Sequence, residues 1–202
     1  MTKTRIKLCG MWREVDIEGV NAARPDYVGF VIDFPKSKRS LTRERVAQLS
    51  SQVDDRIVRV GVFVDEPQEF VAELFDAGTI DVAQLHGHED EEYIARLRAI
   101  SDVRIWQAFQ VRDAAATERA RASSADMVVV DAGQGTGRVF DWSLVQGLNR
   151  DFILAGGLGP DNVAAAIEQV RPWGVDMSSG IETDGVKDPE KMRAAVAAAR
   201  KM

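Results

Sequence analysis

Short apolar runs alternate with longer segments of mixed polarity along the whole chain. A continuous apolar run of strand length is typical of a buried strand, whereas apolar residues at helical spacing are typical of a helix with one buried face. The apolar runs predict strands at 6–9, 27–32, 56–64, 81–85, 103–109, 127–130, 152–155 and 174–177. The segments between them predict helices at 13–23, 42–51, after Pro67, 91–100, 113–122, near Trp142, 163–170 and 189–200.

This alternation amounts to eight strand–helix units in 202 residues. Buried strands that alternate with helices require a parallel sheet that the helices cover. An open, doubly wound sheet is the alternative, but about five or six units are enough for that fold. Eight units favour the α/β class and, within it, a single (β/α)8 TIM barrel. They leave no room for a second domain, so we expect residues 1–202 to form one barrel domain.

The composition, with 45% hydrophobic and 29% charged residues, is that of a soluble globular protein. A net charge of −6 argues against a nucleic-acid partner or an anionic membrane surface. The sequence shows no apolar segment of signal-peptide or membrane-span length, so we expect a cytoplasmic protein. A single cysteine excludes an internal disulfide, and two histidines suggest no metal site.

Two neighbouring strands near the end of the chain run into loops that suit an anion. The strand at 152–155 leads to Gly156 and Gly157, and the strand at 174–177 leads to Ser178, Ser179 and Gly180. Glycine lets the backbone approach a ligand closely, and a helix N-terminus offers free N–H groups and partial positive charge. Phosphate sites of (β/α)8 barrels lie after the last two strands. We therefore predict a phosphate site here; two ordinary glycine turns are the alternative.

Cys9 ends the first strand, where the active site of such a barrel lies. Strand alternation places Lys7 and Cys9 on one face and the apolar Ile6 and Leu8 on the other, so we expect Lys7 inside the barrel below Cys9. A nearby ammonium would lower the pKa of the thiol and favour the thiolate, which can act as a base. The alternative is a cysteine that serves only as a small buried hydrophobic residue.

Asp131 ends the sixth strand and is the second candidate for chemistry. An acid and a base that face each other across the barrel mouth would equip the site for proton transfer. The alternative is an aspartate that caps a turn or a helix. The glycine-rich segment 133–137 that follows lacks both the GxGxxG spacing and the lysine of a P-loop, so we interpret it as a lid.

Three further residues are candidates for substrate binding. Arg39 lies in a basic loop of an acidic protein, and a carboxylate or phosphate partner would explain it; a solvated loop is the alternative. Gln84 and His86 end the fourth strand. We expect the His86 ring to hydrogen-bond a neighbouring loop rather than to act in catalysis.

The residue pattern of the third strand predicts which of its side chains point into the barrel. Its valines at 58, 60, 62 and 64 share one face, which suits packing under the helices, so Arg59 is expected to point inward. By the same alternation, the side chains of Lys7 and Asp176 are also expected to point into the barrel. The first and eighth strands, which carry them, are neighbours in a closed barrel. Because buried charges need partners, we predict an interior polar cluster of Lys7, Arg59 and Asp176.

Seven short motifs follow one another over essentially the whole chain. They are Lys7-Leu-Cys-Gly10, Tyr27-Val-Gly-Phe-Val31 with Pro35-Lys-Ser-Lys-Arg39, Val60-Gly-Val-Phe-Val64, Gln84-Leu-His-Gly87, Gly135-Thr-Gly137 with Phe140-Asp-Trp142, Ala155-Gly-Gly-Leu158 and Asp176-Met-Ser-Ser-Gly180. Each motif alone is weak evidence, but the series in this order resembles the sequences of the phosphoribosylanthranilate isomerase family of the tryptophan pathway.

This resemblance implies a (β/α)8 barrel that performs an Amadori rearrangement of N-(5-phosphoribosyl)anthranilate without a cofactor. It implies Cys9 as catalytic base, Asp131 as catalytic acid and Arg39 as the group that binds the anthranilate carboxylate. The expected partner is this small molecule, with a monomer expected and a homodimer as the alternative. The chain departs from the family at the turn Met11-Trp-Arg13 and at Gln107, where a lysine is expected.

Two other functions remain open at this point. The histidine-pathway aminoaldose isomerase has the same architecture and a similar mechanism, but it carries aspartate where Cys9 stands and shows a repeat of half-barrels. No convincing repeat is present here. A non-catalytic barrel that binds a phosphosugar is the second alternative, and the presence of both Cys9 and Asp131 at strand ends argues against it.

Overall fold

A computed structural model describes residues 3–131, 145 and 147–201. Eight parallel strands form its centre. They are β1 (Arg5–Cys9), β2 (Tyr27–Ile32), β3 (Val58–Phe63), β4 (Val82–Leu85), β5 (Arg104–Gln110), β6 (Met127–Asp131), β7 (Phe152–Ala155) and β8 (Gly174–Met177). Each strand pairs with the next, and β1 pairs with both β2 and β8, so the sheet closes on itself. The predicted (β/α)8 barrel is therefore confirmed.

Helices connect the strands and cover the outside of the barrel. They are α1 (Glu14–Ala23), α2 (Arg43–Ser50), α3 (Gln68–Asp76), α4 (Glu91–Ile100), α5 (Ala114–Ala122), α6 (Val163–Val170) and α7 (Pro189–Arg200). The helix expected near Trp142 and the loop 133–137 lie outside the described residues. None of the helices in the described part of the chain is long and apolar enough to cross a membrane.

Side-chain caps explain where several helices begin. Asp90 accepts a hydrogen bond from the Tyr93 N–H at the start of α4, and Asp113 accepts one from the Ala116 N–H at the start of α5. Asp188 accepts hydrogen bonds from the N–H groups of Glu190 and Lys191 at the start of α7, which also carries a proline in its first turn. A carboxylate at this position satisfies N–H groups that the helix leaves unpaired.

Apolar side chains fill the interior of the barrel toward the N-terminal ends of the strands. The rings of Tyr27 and Trp106 lie 4.9 Å apart, edge to face, and the Trp173 ring packs against both. Val60 and Val82 are fully buried in the same interior cluster. This packing fills the interior at the N-terminal end of the barrel.

The predicted direction of Arg59 is wrong. The valine face of β3 packs inside the barrel, and the opposite face points toward the helices. Phe63 needs the larger space on the helix side, and it lies over Gly61, where a β-carbon would come within 2.7 Å of its ring. Arg59 therefore points outward and pairs with Asp81 at 2.7 Å near the bottom of the barrel.

The other two members of the predicted interior cluster do meet. Lys7 on β1 is directly paired in register with Asp176 on β8, and Lys7 Nζ lies 2.7 Å from Asp176 Oδ2. Both side chains are buried inside the barrel. The prediction that Lys7 and Asp176 point into the barrel is thus confirmed, and the interior cluster forms without Arg59.

Three short elements were not predicted. Ser40–Leu41 adds a two-residue strand to the edge of β2. Ser179–Ile181 forms one turn of 3-10 helix after β8, and a small antiparallel hairpin of Glu182–Thr183 and Val186–Lys187 follows it. The hairpin stands beside the C-terminal end of the barrel, where it contacts residues of the cavity described next.

Candidate active site

A cavity of about 350 Å³ opens at the C-terminal ends of the strands. It brings together nearly all the residues that the sequence indicated for chemistry and binding: Cys9, Arg39, Gln84, His86, Asp131, Gly156, Gly157, Ser178 and Ser179 line its wall. Gly180 lies behind the wall instead, where its backbone packs against Leu158 and Gly159. The strand ends therefore converge on one pocket, as expected for a barrel of this class.

Cys9 is buried, with 8% of its surface exposed, and its sulfur lies next to Lys7 and Gly29. A β-carbon on Gly29 would come within 2.7 Å of Cys9 Sγ and 3.1 Å of Lys7 Nζ. Burial raises the pKa of the Cys9 thiol, and the negative charge of Asp176 adds to this, while Lys7 acts in the opposite direction. The expected net lowering of the thiol pKa is therefore wrong, although the effect of Lys7 itself has the expected sign.

Two hydrogen-bond acceptors at the cavity wall lack a partner among the described residues. They are Asp176 Oδ1 and Gln84 Oε1, and both belong to buried side chains that line the cavity. A buried polar atom without a partner carries a free-energy cost. A ligand hydroxyl that donates to either oxygen would remove that cost. Gln84 was predicted from the sequence as a binding residue, whereas Asp176 was predicted only as part of the interior cluster.

Asp131 is the last residue of β6 and lines the cavity from the side opposite the β1–β2 edge. Its backbone carbonyl accepts a hydrogen bond from the Val111 N–H, which fixes the end of the strand. The side chain is partly exposed. Cys9 and Asp131 thus reach the same cavity from different strands, which is the arrangement that an acid–base pair requires.

The ring of His86 hydrogen-bonds its own strand. Gln84 Nε2 lies 3.2 Å from His86 Nδ1. Among the described residues, the partner of the ring is therefore Gln84 on the same strand and not the neighbouring loop that was expected, because Gln84 and His86 point to the same side of the chain. Burial lowers the pKa of His86, and the charge of Asp131 only partly offsets this. The imidazole is thus mainly neutral at pH 7.

Arg39 reaches the cavity from the loop after β2. Its Nε donates to Glu182 Oε1 at 2.7 Å, and its side chain passes over Gly10, where a β-carbon would come within 2.5 Å of Arg39 Cδ. Gly10 has a φ of 80°, which glycine adopts readily. Glu182 was not among the residues predicted from the sequence. The Asp184-Gly185 pair that follows it is a signal for a hairpin at this place.

The two loops assigned to phosphate lie side by side. Gly156 and Gly157 have φ angles of 96° and 66°, so the chain turns sharply after β7. Asn162 then holds the turn, since its side chain bonds the Gly157 carbonyl and the Gly159 N–H before α6 begins. The 3-10 turn that starts at Ser179 follows β8. Backbone N–H groups at turns of this kind can bind an anion.

The two departures from the family pattern have structural roles outside the acid–base pair. In the turn after β1, Asp16 accepts hydrogen bonds from the backbone N–H groups of Trp12 and Arg13, and it forms an ion pair with Arg13. Gln107 is buried on β5, where it donates to the Glu89 carbonyl at 2.7 Å and accepts from Ser123 at 2.6 Å.

The fold and the cavity define a (β/α)8-barrel protein with the equipment of a phosphosugar isomerase. A family model described as N-(5′-phosphoribosyl)anthranilate isomerase matches residues 6–198. The chain is 42% identical to the N-(5′-phosphoribosyl)anthranilate isomerase of Clostridium acetobutylicum, with 98% of each chain covered.

Solved structures give the same result. The phosphoribosyl anthranilate isomerase of Thermotoga maritima superposes with a TM-score of 0.88 at 32% identity, covering 98% of this chain and 100% of that chain. An isomerase in complex with reduced 1-(o-carboxyphenylamino)-1-deoxyribulose 5-phosphate gives a TM-score of 0.86 at 32% identity, with the same coverage. The chain belongs to the N-(5′-phosphoribosyl)anthranilate isomerase family.

Proposed function

We propose that this protein is an isomerase of tryptophan biosynthesis. It converts N-(5-phosphoribosyl)anthranilate to 1-(2-carboxyphenylamino)-1-deoxyribulose 5-phosphate by general acid–base catalysis. The observation that carries the proposal is the cavity that joins Cys9, Asp131 and Arg39 with the two loops suited to phosphate. Family membership and the related structure with a reduced carboxyphenylamino-deoxyribulose phosphate support it.

Asp131 acts as the acid in the first step. It donates a proton to the ring oxygen of the ribofuranose while the bond between this oxygen and C1 breaks. The nitrogen lone pair forms a C1=N double bond, so the open sugar becomes a protonated Schiff base. Asp131 suits this role because it faces the cavity from the end of β6, on a different strand from Cys9.

Cys9 acts as the base in the second step. It removes the proton from C2, and the electron pair of the C–H bond forms a C1=C2 double bond while the nitrogen recovers its lone pair. The enolamine then tautomerises to the ketone. A thiolate has to form in a buried place, and the neighbouring Lys7 ammonium stabilises it there. A raised thiol pKa makes the thiolate a stronger base once it has formed.

Four features hold the substrate during these steps. The backbones of Gly156, Gly157 and Ser179, with Ser178 beside them, bind the 5-phosphate, and Gly180 behind the wall supports this turn. Arg39 pairs with the anthranilate carboxylate, and Gln84 and His86 contact the substrate near the ring. Asp176 Oδ1 and Gln84 Oε1 accept hydrogen bonds from sugar hydroxyls, which satisfies the two unpaired acceptors. A ligand complex with the phosphate bound elsewhere would overturn the first assignment.

The function is tested by a turnover assay with N-(5-phosphoribosyl)anthranilate. We expect the purified protein to abolish the anthranilate-type fluorescence of the substrate and to form the ribulose product in equal amount. Binding of the substrate without turnover would instead favour the non-catalytic barrel that binds a phosphosugar.

Three broader features belong to the same proposal. We place the protein in the cytoplasm, as expected for a biosynthetic isomerase with a small-molecule substrate, without a nucleic-acid or membrane partner. We treat residues 1–202 as a single barrel domain. We expect a monomer, with a homodimer as the alternative, and sedimentation velocity distinguishes the two.

A further inference from the structure

A short hairpin of Glu182–Thr183 and Val186–Lys187 follows β8 beside the candidate active site. Its turn consists of Asp184 and Gly185, with φ angles of 52° and 77°. Positive φ at both central residues is the requirement of a type I′ turn, which Asp-Gly satisfies well. The register pairs Glu182 directly with Lys187. Their side chains therefore lie on the same face of the hairpin, and Lys187 Nζ is 2.9 Å from Glu182 Oε1.

Glu182 gathers three cations around one buried carboxylate. Only 6% of its side chain is exposed, and Arg39 Nε lies 2.7 Å from Oε1. Lys38 Nζ is 3.3 Å from Oε2, with most of its own side chain in solvent. Burial alone would raise the pKa of Glu182, but the hydrogen bonds and charges of Arg39 and Lys187 outweigh it and bring the pKa to about 2. The carboxylate is therefore ionised.

Lys187 connects this carboxylate to the strand end that carries Cys9. Its ammonium donates to the Ser178 carbonyl at 2.8 Å, and its side chain is fully buried. Ser178 Oγ in turn donates to the Cys9 carbonyl at 3.1 Å. The hairpin is itself fixed to α7, because Lys191 Nζ donates to the Glu182 carbonyl at 2.7 Å. Glu182 thus has a fixed position relative to the cavity.

We propose that Glu182 is a positioning residue for Arg39, which it holds in the orientation that receives the substrate carboxylate. Among the described residues, the side-chain hydrogen bond of Arg39 is made through Nε, which leaves the two terminal nitrogens for a ligand. A guanidinium that is held in place loses less conformational freedom when it binds a carboxylate through two parallel hydrogen bonds. The inference rests on the proposed function, because it takes Arg39 as the anthranilate anchor.

A purely structural role for Glu182 makes a different prediction. Glu182 also offsets the charge of the buried Lys187, and loss of one partner of a buried ion pair destabilises a protein. If that were its whole contribution, its removal would affect every ligand of the cavity alike. A positioning role affects only ligands whose carboxylate pairs with Arg39.

The test compares two ligands in binding titrations. The first is reduced 1-(o-carboxyphenylamino)-1-deoxyribulose 5-phosphate, and the second is the same compound without the ring carboxylate. We expect Glu182→Gln to weaken the first ligand about tenfold, the order of one charge-assisted hydrogen bond, and to leave the second within about twofold. The matched control is Glu190→Gln, which removes an exposed carboxylate of α7 that pairs with Arg193, and we expect it to change neither affinity.

A double variant covers the case in which Glu182→Gln does not fold. Glu182→Gln with Lys187→Met removes both members of the buried pair, so neither leaves a buried charge unpaired. We expect this double variant to weaken the carboxylate ligand selectively as well. Equal weakening of both ligands, or no weakening of either, would overturn the positioning role.

Arg39→Ala separates this inference from the proposed function. If Arg39→Ala leaves the carboxylate-bearing ligand as tightly bound as before, the anchor assignment itself is wrong. If Arg39→Ala selectively weakens that ligand but Glu182→Gln does not, only the positioning role is wrong. If the positioning role is correct, Glu182→Gln adds little further loss in the Arg39→Ala background.

Discussion

Lys7 Nζ and Asp176 Oδ2 lie 2.7 Å apart inside the barrel, on neighbouring strands whose register pairs the two residues directly. The pair is next to the Cys9 sulfur, so each partner acts on the thiol with an opposite sign. The ammonium favours the thiolate, whereas the carboxylate and the burial of the site oppose it. The protonation of the candidate base is therefore set by its burial together with the two fixed charges below it.

Removal of the ammonium changes this balance. In Lys7→Met, burial and the Asp176 charge act on Cys9 with only the smaller effect of Lys187 to oppose them, so we expect the pKa of the thiol to rise further. Because Cys9 is the only cysteine of the chain, the pH dependence of alkylation by iodoacetamide reports on it alone. At a given alkaline pH, alkylation should be slower in Lys7→Met than in the wild type. An unchanged or faster reaction would show that Lys7 does not stabilise the thiolate.

Gly29 supplies the space that Cys9 and Lys7 occupy. A β-carbon at this position would lie 2.7 Å from Cys9 Sγ, which is too close for two heavy atoms in contact. We expect Gly29→Ala to displace the thiol and to lower kcat by about tenfold or more, since small displacements of reacting groups are costly. Gly147→Ala is the control, because among the described residues no heavy atom beyond its chain neighbours lies within 4 Å of its added β-carbon. Equal kcat values for the two variants would contradict this expectation.

Arg39→Ala tests the carboxylate anchor in catalysis. A charge-assisted hydrogen bond contributes about 1.5–3 kcal/mol, so we expect substrate binding to weaken by about one to two decades. Arg43→Ala provides a control, since Arg43 pairs with Glu73 on the outside of the barrel. If KM in Arg39→Ala stays at the wild-type value, another residue binds the carboxylate.

Much of the fold could be predicted because buried parallel strands give continuous apolar runs, and these place each strand end near its true position. The pairing of Lys7 with Asp176 followed from strand parity and from the closure of the barrel. The prediction that Arg59 points inward was wrong because a row of valines can pack on either face of β3. The large Phe63 ring fits only on the helix side, over Gly61, and this decides the direction of the strand. The spacing of residues in the sequence does not show on which side that ring has room.

Parts of the site could not be predicted because they depend on tertiary proximity. The raised pKa of Cys9 follows from its burial and from Asp176, which comes from the far end of the chain. Glu182 contacts Arg39 across 143 residues of sequence. The pattern of a short hairpin gives no sign of the cation that its glutamate will meet.

Asp131→Asn tests whether Asp131 is the acid that protonates the ring oxygen. Asparagine preserves the shape of the side chain but cannot donate an acidic proton to the ring oxygen, so we expect kcat to fall by at least ~10²-fold, within the range of general acid catalysis. Affinity for the reduced product analogue should change little. Loss of binding with kcat retained would mean that Asp131 holds the substrate and does not protonate it.

The most direct test of the central claim is the turnover of Cys9→Ser on N-(5-phosphoribosyl)anthranilate, followed by the loss of substrate fluorescence. Serine has nearly the size of cysteine but lacks an accessible anion at neutral pH. If Cys9 removes the proton from C2, kcat falls by at least ~10²-fold while affinity for the reduced product analogue is largely retained. If Cys9→Ser turns over at a rate near that of the wild type, Cys9 is a packing residue and the base is another group of the cavity, with His86 the first to examine.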